Sequence, residues 1–461
     1  MSPHAFRHAA HLLSSSLFFV LAAMCGSARA DYGPLPSSND VSNDTDTRSD
    51  LANRHVDIPR CRRNDSLQPQ GTVSPPISTC ETLSPNWGGW RNTLADHGWM
   101  IGGGMSVGGS YDVLNHHEHT QLYIGQDPSF RTNPFVYATY DLGRIGFAGA
   151  SQLVFNADFQ AFSYRDENPT GLSLNSLYIN QRFHDGKVQL QYGFDEISNQ
   201  FYGFSLGSSA TASTAGISSS IPFEVGLINN KSAPEANLRV VFPSTHVYER
   251  FGVTRSIDPD GVKADWKSNN FLGLKWHIPG AKPLYVNELG YLIDPAPKQQ
   301  MTWLRQGVIY NASRYAKFRG GYAGSNYAYY LVGDYQLLQT DATQPSRGIY
   351  INANLDYAPP DRNVYSGDIG ITPYVLGPFG RPYDVLSLSY TFNRLSKSFE
   401  RTQQALGISA VDYSSTYAVS YVYRWTRGFY MTNQLSYTAN PIPTPRRPAA
   451  LTWMSSLSLY Y

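Results

Sequence analysis

The sequence predicts an all-β fold, a transmembrane antiparallel β-barrel of about sixteen strands, with a short N-terminal amphipathic helix and a mostly irregular N-terminal extension. Three observations predict it. Segment after segment alternates between apolar and small or polar residues with a period of two, the pattern a strand takes when its two faces meet different surroundings. Of the 461 residues only 15% are charged, 14% are aromatic and 33 are Tyr, which suits much half-apolar strand and little charged surface. After the N-terminus no stretch approaches the roughly 20 apolar residues of a spanning helix. A chain of this kind that lives in a membrane must cross it as a closed barrel.

Residues 1–30 read as a secretory signal. Arg7 and nearby His residues form the basic start, Leu12 to Met24 the apolar run, and Ala28-Arg29-Ala30 the small-x-small cleavage site before Asp31. Met24 stands where a lipid-attachment signal has a small residue, so Cys25 is not read as a lipid site. Residues 31–84 follow as a polar extension rich in Asp, Asn, Ser, Pro and Arg, without apolar periodicity. It holds Cys61 and Cys80, the only cysteines of the exported chain. Beyond the inner membrane a disulfide between them is the expected state. The run Arg60, Arg62, Arg63 reads as a solvated charge run. Whether the extension fills a lumen, faces the periplasm or does neither stays open at this point.

The barrel is expected over residues 85–461. It opens with a short helix within 87–98, where Trp90, Leu94 and His97 fall on one side and Gly98 supplies a stop. A glycine-rich strand follows from Met100 to Asp112. In Gln152–Phe162, Leu153, Phe155, Ala157, Phe159 and Ala161 alternate with Val154, Asn156, Asp158, Gln160 and Phe162. In Lys187–Phe194, Val188, Leu190, Tyr192 and Phe194 alternate with Lys187, Gln189, Gln191 and Gly193, and His184-Asp185-Gly186 before them is a tight-turn signal. Near the end, Tyr417, Val419, Tyr421, Tyr423 and Trp425 oppose Ala418, Ser420, Val422, Arg424 and Thr426. The last strand sets Leu451, Trp453, Ser455, Leu457, Leu459 and Tyr461 against Thr452, Met454, Ser456, Ser458 and Tyr460, with an aromatic at its end, where a ring suits the lipid–water boundary. One oily and one wetter face is what a barrel around a wet lumen demands; a strand buried on both sides would be oily throughout. At roughly 40–50 residues per hairpin, 85–461 holds about eight hairpins. A barrel of that size leaves an aqueous channel.

Several motifs, in order, carry a resemblance. Trp87-Gly88-Gly89-Trp90-Arg91 with Leu94 and Gly98 precedes the first strand. Asp141-Leu142-Gly143 with Gly146 and Gly149 leads into the third. Tyr178 to Gly193 forms a hairpin, and Glu288-Leu289-Gly290-Tyr291, Gly380-Arg381-Pro382-Tyr383-Asp384-Val385-Leu386 and Gln434-Leu435-Ser436-Tyr437 with Asn440-Pro441 follow. Together they resemble the carbohydrate-selective outer-membrane porin family (OprB-like) over about Pro85 to Tyr461. The chain departs from the family in lacking an acidic residue in Thr416–Trp425, in ending on Tyr461 where Phe is commoner, and in its long extension. The resemblance implies a porin in the outer membrane of a Gram-negative bacterium, passing small carbohydrates by passive diffusion. Its partners would be those sugars and outer-membrane lipid, with monomer and homo-oligomer both left open. Two other functions stay open: a channel of the same build for a sugar acid or other anion, and a secreted all-β carbohydrate-binding protein.

The net charge of +1 argues against a nucleic-acid partner held by phosphate contacts. No catalytic set stands out and no cofactor is expected. His116-His117-Glu118-His119 sits where a loop is expected and reads as surface rather than metal site. Asp166-Glu167 and Asp258, Asp260 read as loop carboxylates, and Asp258-Pro259-Asp260-Gly261 as a turn. Face assignment sends Asn156, Asp158, Gln160, Asn180, Arg182, Gln189, Gln191, Glu288 and Arg424 to the lumen. Of these, Asp158, Arg182, Glu288 and Arg424 are the candidates for lining a solute path.

Overall fold

Sixteen strands hydrogen-bond into one closed sheet. They are β1 Trp99–Asp112, β2 Ser129–Asp141, β3 Ala150–Phe162, β4 Gly171–Phe183, β5 Val188–Asp195, β6 Ala233–Val241, β7 Val247–Arg255, β8 Pro283–Ile293, β9 Thr302–Asn311, β10 Asn326–Gln339, β11 Gly348–Tyr357, β12 Tyr365–Leu376, β13 Val385–Leu395, β14 Tyr413–Thr426, β15 Phe429–Ala439 and β16 Ala450–Tyr460. The computed structural model describes residues 58–72, 76–118, 120–164, 170–202, 220–228, 231–242, 245–269 and 272–461. The expected signal at 1–30, most of the extension, His119 and Asp166-Glu167 lie outside the described residues.

Every strand pairs antiparallel with its neighbours in sequence, and β1 closes on β16 with Gly104 opposite Tyr460 and Ser106 opposite Ser458. Closure removes the unpaired edge that an open sheet would expose. The connections 113–128, 196–232, 256–282, 312–325 and 396–412 share one end of the barrel. The shorter turns share the other end with the start and the finish of the sheet; they include His184–Lys187 and the pair Arg427–Gly428. His184, Asp185 and Gly186 all take positive φ, of 51°, 56° and 81°, as a tight hairpin turn requires.

The period of two separates outside from inside. Leu331 and Leu355, directly paired on β10 and β11, face outward, as do Val419 with Leu435 and Leu388 on the neighbouring strands. Inward positions carry Ser, Thr, Asn, Gln and charged residues. An apolar exterior around a polar interior is the arrangement of a membrane barrel. Among the described residues no helix is long and apolar enough to cross a membrane.

The helix α1 Ile58–Asp65 lies within the stretch expected to be irregular. The helix α2 Trp90–Asp96 follows a 3-10 turn at Trp87–Gly89, as the sequence predicts, and Gly98 with φ 82° ends it. Its apolar stripe points away from the barrel, with Trp90 73% exposed, while Arg91 and Ala95 face inward. Arg91 is fully buried and donates to Thr82 Oγ1 and to the carbonyls of Ser84 and Pro85, at 3.1, 3.1 and 2.7 Å. It thereby fastens α2 to the segment before it.

Candidate functional site

The inward face of the closed sheet is polar, and two inserts pack against it. The first is the connection between β5 and β6, with its helix α3 Ser220–Glu224. Its flanks carry Phe201, Tyr202, Ile221, Val225 and Leu227, apolar residues that a solvated loop would not keep. They pack on inward-facing Leu284, Val286, Ile309 and Val332, making a hydrophobic core inside the barrel. Strand β8 is therefore apolar on both faces here, lipid-side at Tyr285 and Leu289, loop-side at Leu284 and Val286.

Polar anchors fix this loop. Glu288 accepts from Tyr330 Oη at 2.8 Å, Tyr248 Oη at 3.0 Å and the Tyr202 amide at 3.3 Å. Tyr202 Oη donates to Asp356 at 2.7 Å, and the Ile221 amide donates to Asp368 at 3.2 Å. Glu224 accepts from the Val364 and Tyr365 amides, both at 3.1 Å; burial pushes its carboxyl well above the ordinary range. Gly290 and Gly307 let the rings of Tyr248 and Tyr330 lie flat on the wall, because a Cβ at either position would overlap the neighbouring ring.

The second insert is the segment before the barrel, residues 58–72 and 76–86. It enters the short-turn end. The side chain of Gln152 on β3 donates to the carbonyls of Leu67 and Gln68 at 2.8 and 3.1 Å and accepts from the Gln70 amide at 3.0 Å. Tyr178 Oη on β4 donates to the Gln70 carbonyl at 2.9 Å, and Thr139 on β2 donates to that of Leu67. On β16, reached from β2 through β1, the Tyr460 carbonyl accepts from the Leu83 amide at 2.8 Å. Arg424 on β14 pairs with Glu81 at 2.9 Å and lies over the Tyr383 ring, 4.3 Å from its centre. Asp384 holds Arg424 in place by accepting from its backbone amide at 2.9 Å, and Arg381 donates to its carbonyl at 2.8 Å. The Gly-Arg-Pro-Tyr-Asp piece thus serves the turn, and through it the insert.

Burial raises the carboxyls of Asp65 and Glu81, more than offsetting the lowering by Ser78 at Asp65 and by Arg424 at Glu81. Cys61 and Cys80 are free thiols in this structure rather than the expected disulfide. Both are buried and their side chains hydrogen-bond each other, which lowers the Cys61 pKa and raises that of Cys80.

Elsewhere the inward-facing wall is polar, and its side chains are buried among one another. From β13 to β1 it is rich in hydroxyls: Ser387 meets Ser420 at 2.9 Å, Thr416 meets Thr438 at 3.1 Å, and Ser458 donates to Ser106 at 3.4 Å. On β2 and β3, Asn133 and Gln160 donate to Asp158 Oδ2 at 2.7 and 3.0 Å, leaving Asp158 Oδ1 without a partner. Further round, Arg305 pairs with Asp334 at 2.9 Å, both fully buried, and lies 3.7 Å from the centre of the Trp303 ring. The interior carries both charge signs, largely paired with each other or hydrogen-bonded.

The four candidate residues all take the inward face but do not meet. Asp158 belongs to the β2–β3 network. Arg182 continues the face of Tyr178 and Asn180, opposite Gln189, near the short-turn rim. Glu288 lies behind the first insert, and Arg424 against the second. Alternation puts Arg305, Asp356 and Asp368 on the inward face among many other polar residues and does not mark them out, and Tyr202 and Glu224 lie in a connection it does not reach. A usable signal for the loop was present: apolar residues at both flanks of a long connection, together with apolar inward positions on β8. Among the described residues no group of His, Cys, Asp and Glu is arranged to hold a metal. His116 and His117 instead contact Asp112 and Asp127, at 2.9 and 2.8 Å.

No protein-family model matches the chain, and no curated protein matches it. Solved structures do. The structure of Pseudomonas putida OprB at high pH superposes with a TM-score of 0.68 at 13% identity, covering 83% of this chain and 98% of that one. Its low-pH structure gives 0.51 at 12% identity, with the same coverage. The family resemblance read from the motifs and this likeness lead to the same architecture: the chain has the fold of a sixteen-stranded porin barrel.

Proposed function

We propose that the protein is an outer-membrane channel that lets small carbohydrates diffuse passively into the periplasm of a Gram-negative bacterium. The observation that carries this is the wall from β13 through β1 to β3, a continuous face of hydroxyl, amide and carboxylate groups beside a loop that narrows the lumen. A sugar exchanges its water shell for such groups at little cost, and each contact is weak enough for it to leave on the far side. Two charge pairs, Arg305–Asp334 and Arg424–Glu81, neutralise each other inside the barrel, which limits the bias towards ions of one sign. Arg182, half-buried on the inward face near the short-turn rim, donates to a passing hydroxyl. The solute gradient is the energy source and the protein acts as a channel, not an enzyme. The motif resemblance supports the sugar preference. Liposome swelling with the purified protein tests it: glucose is expected to enter faster than gluconate and amino acids of similar size. Equal rates, or faster gluconate, would overturn the sugar preference and leave a general or anion channel.

A further inference from the structure

We propose that residues 58–72 and 76–86 form a second narrowing of the channel, at the short-turn mouth, which sets the size of solute that leaves the barrel. The proposal rests on the channel function above. The path then has two filters in series, one made by the loop between β5 and β6 and one made by the N-terminal segment.

The placement is specific rather than a loose tail in a wide hole. The segment is hydrogen-bonded to β3 and β4 on one side, at Gln152 and Tyr178, and to β14 and β16 on the other, at Arg424 and Tyr460. It therefore lines the arc from β14 through β1 to β4, seven neighbouring strands of the sixteen, instead of hanging from a single strand. At its tip Gly71, with φ 96°, is pressed so closely on the side chains of Gln191 and Asn180 that a Cβ would overlap both. Only glycine takes that backbone angle and approach without strain. The groups that hold the segment are inward-facing barrel residues whose amide, hydroxyl and guanidinium ends a bare lumen would leave to water. Solute leaving the hydroxyl wall of β14–β16 meets the Glu81–Arg424 pair, and solute descending β3 and β4 meets Leu67–Gly71. The outlet is left to the sector of β6 to β12 that the segment does not bridge.

The test compares single-channel conductance in planar bilayers for the full chain, for a chain lacking residues 31–84, and for the double variant Gln152→Ala/Tyr178→Phe. The double variant leaves every residue of the segment in place and removes four of its hydrogen bonds. Removing a series constriction is expected to raise the conductance by about twofold or more and to admit larger oligosaccharides in swelling assays. The double variant is expected to flicker between the full-chain and deletion levels. Unchanged conductance and size limit in the deleted chain would overturn the proposal while leaving the channel function intact. If the deleted chain fails to insert, an unchanged trace from the double variant overturns it. No current steps from the full chain or from either variant would overturn the channel function itself.

Discussion

Replacing Glu288 by alanine removes the acceptor on which three donors converge: Tyr330 Oη at 2.8 Å, Tyr248 Oη at 3.0 Å and the Tyr202 amide at 3.3 Å. Two of these donors belong to the barrel wall and one to the inserted loop. A hydrogen bond to a charged acceptor contributes about 1.5–3 kcal/mol, and a buried donor left unmade costs about 1–3 kcal/mol. Only the Tyr202 bond acts directly on loop docking, so the loop loses about 2 kcal/mol and the barrel loses more. A 2 kcal/mol loss on a local opening equilibrium multiplies its open population by about 30. Hydrogen exchange of the detergent-solubilised protein reads this directly. Peptides covering 196–202 and 220–228 are expected to exchange about thirtyfold faster in Glu288→Ala, with strands β14–β16 unchanged. Tyr330→Phe removes one hydroxyl and leaves the amide bond intact, so its effect on the loop is expected to be small. Equal exchange of the loop in the wild type and Glu288→Ala would refute the idea that this carboxylate anchors the insert.

Three further outcomes are expected. Leu331 lies on the outward face opposite Leu355, so Leu331→Arg is expected to cost about 2–4 kcal/mol in lipid and to lower the temperature at which the folded band is lost on a detergent gel; an unaltered transition would contradict the lipid-facing assignment. Cys61 and Cys80 are expected to lose two protons and two electrons to a periplasmic dithiol–disulfide oxidoreductase and form one S–S bond, which stabilises the segment by about 3 kcal/mol for a loop of this length; two thiols that label readily in the denatured, unreduced exported protein would contradict it. The third concerns pH. Burial raises the carboxyls of Asp65 and Glu81 when the segment is docked, with Ser78, Thr79 and Arg91 facing the first and Arg424, Arg427 and Tyr383 facing the second. The docked state therefore binds protons more tightly than the released one, and docking is strongest in acid and weakens as pH rises above the ordinary carboxyl range. Conductance is expected to fall as pH is lowered from about 8 to about 4, and to fall less in the chain lacking 31–84; an equal fall in both would contradict the assignment.

The barrel was legible because lipid on one side and water on the other impose a rule on every second residue. Leu451, Trp453 and Leu457 point outward and Ser456 and Ser458 inward, as their spacing predicts. The same rule puts Asp158, Glu288 and Arg424 on the inner face. It has no power over what fills the lumen. The N-terminal segment is polar because the wall it touches is polar, so its composition matches that of a free tail. Its helix at Ile58–Asp65 carries three arginines in eight residues and lies in a stretch without apolar periodicity. The loop between β5 and β6 did leave a trace, in the apolar inward residues Leu284, Val286, Ile309 and Val332. A strand that is oily on both faces in an otherwise alternating barrel needs a partner inside, and that partner is the loop. Helix α2 shows the limit of periodicity from the other direction. The spacing of Trp90, Leu94 and His97 marks a helix, but the buried face is the one with Arg91, because the carbonyls it binds lie beneath it.

On the proposed function, the closed sheet surrounds a water-filled path that neutral solutes can follow. Addition of the purified full chain to a planar lipid bilayer tests it most directly. Discrete ohmic current steps, reduced when glucose is added to either side, are the predicted result. A bilayer that stays as tight as one without protein, although the barrel has inserted with its heat-modifiable fold intact, would contradict it.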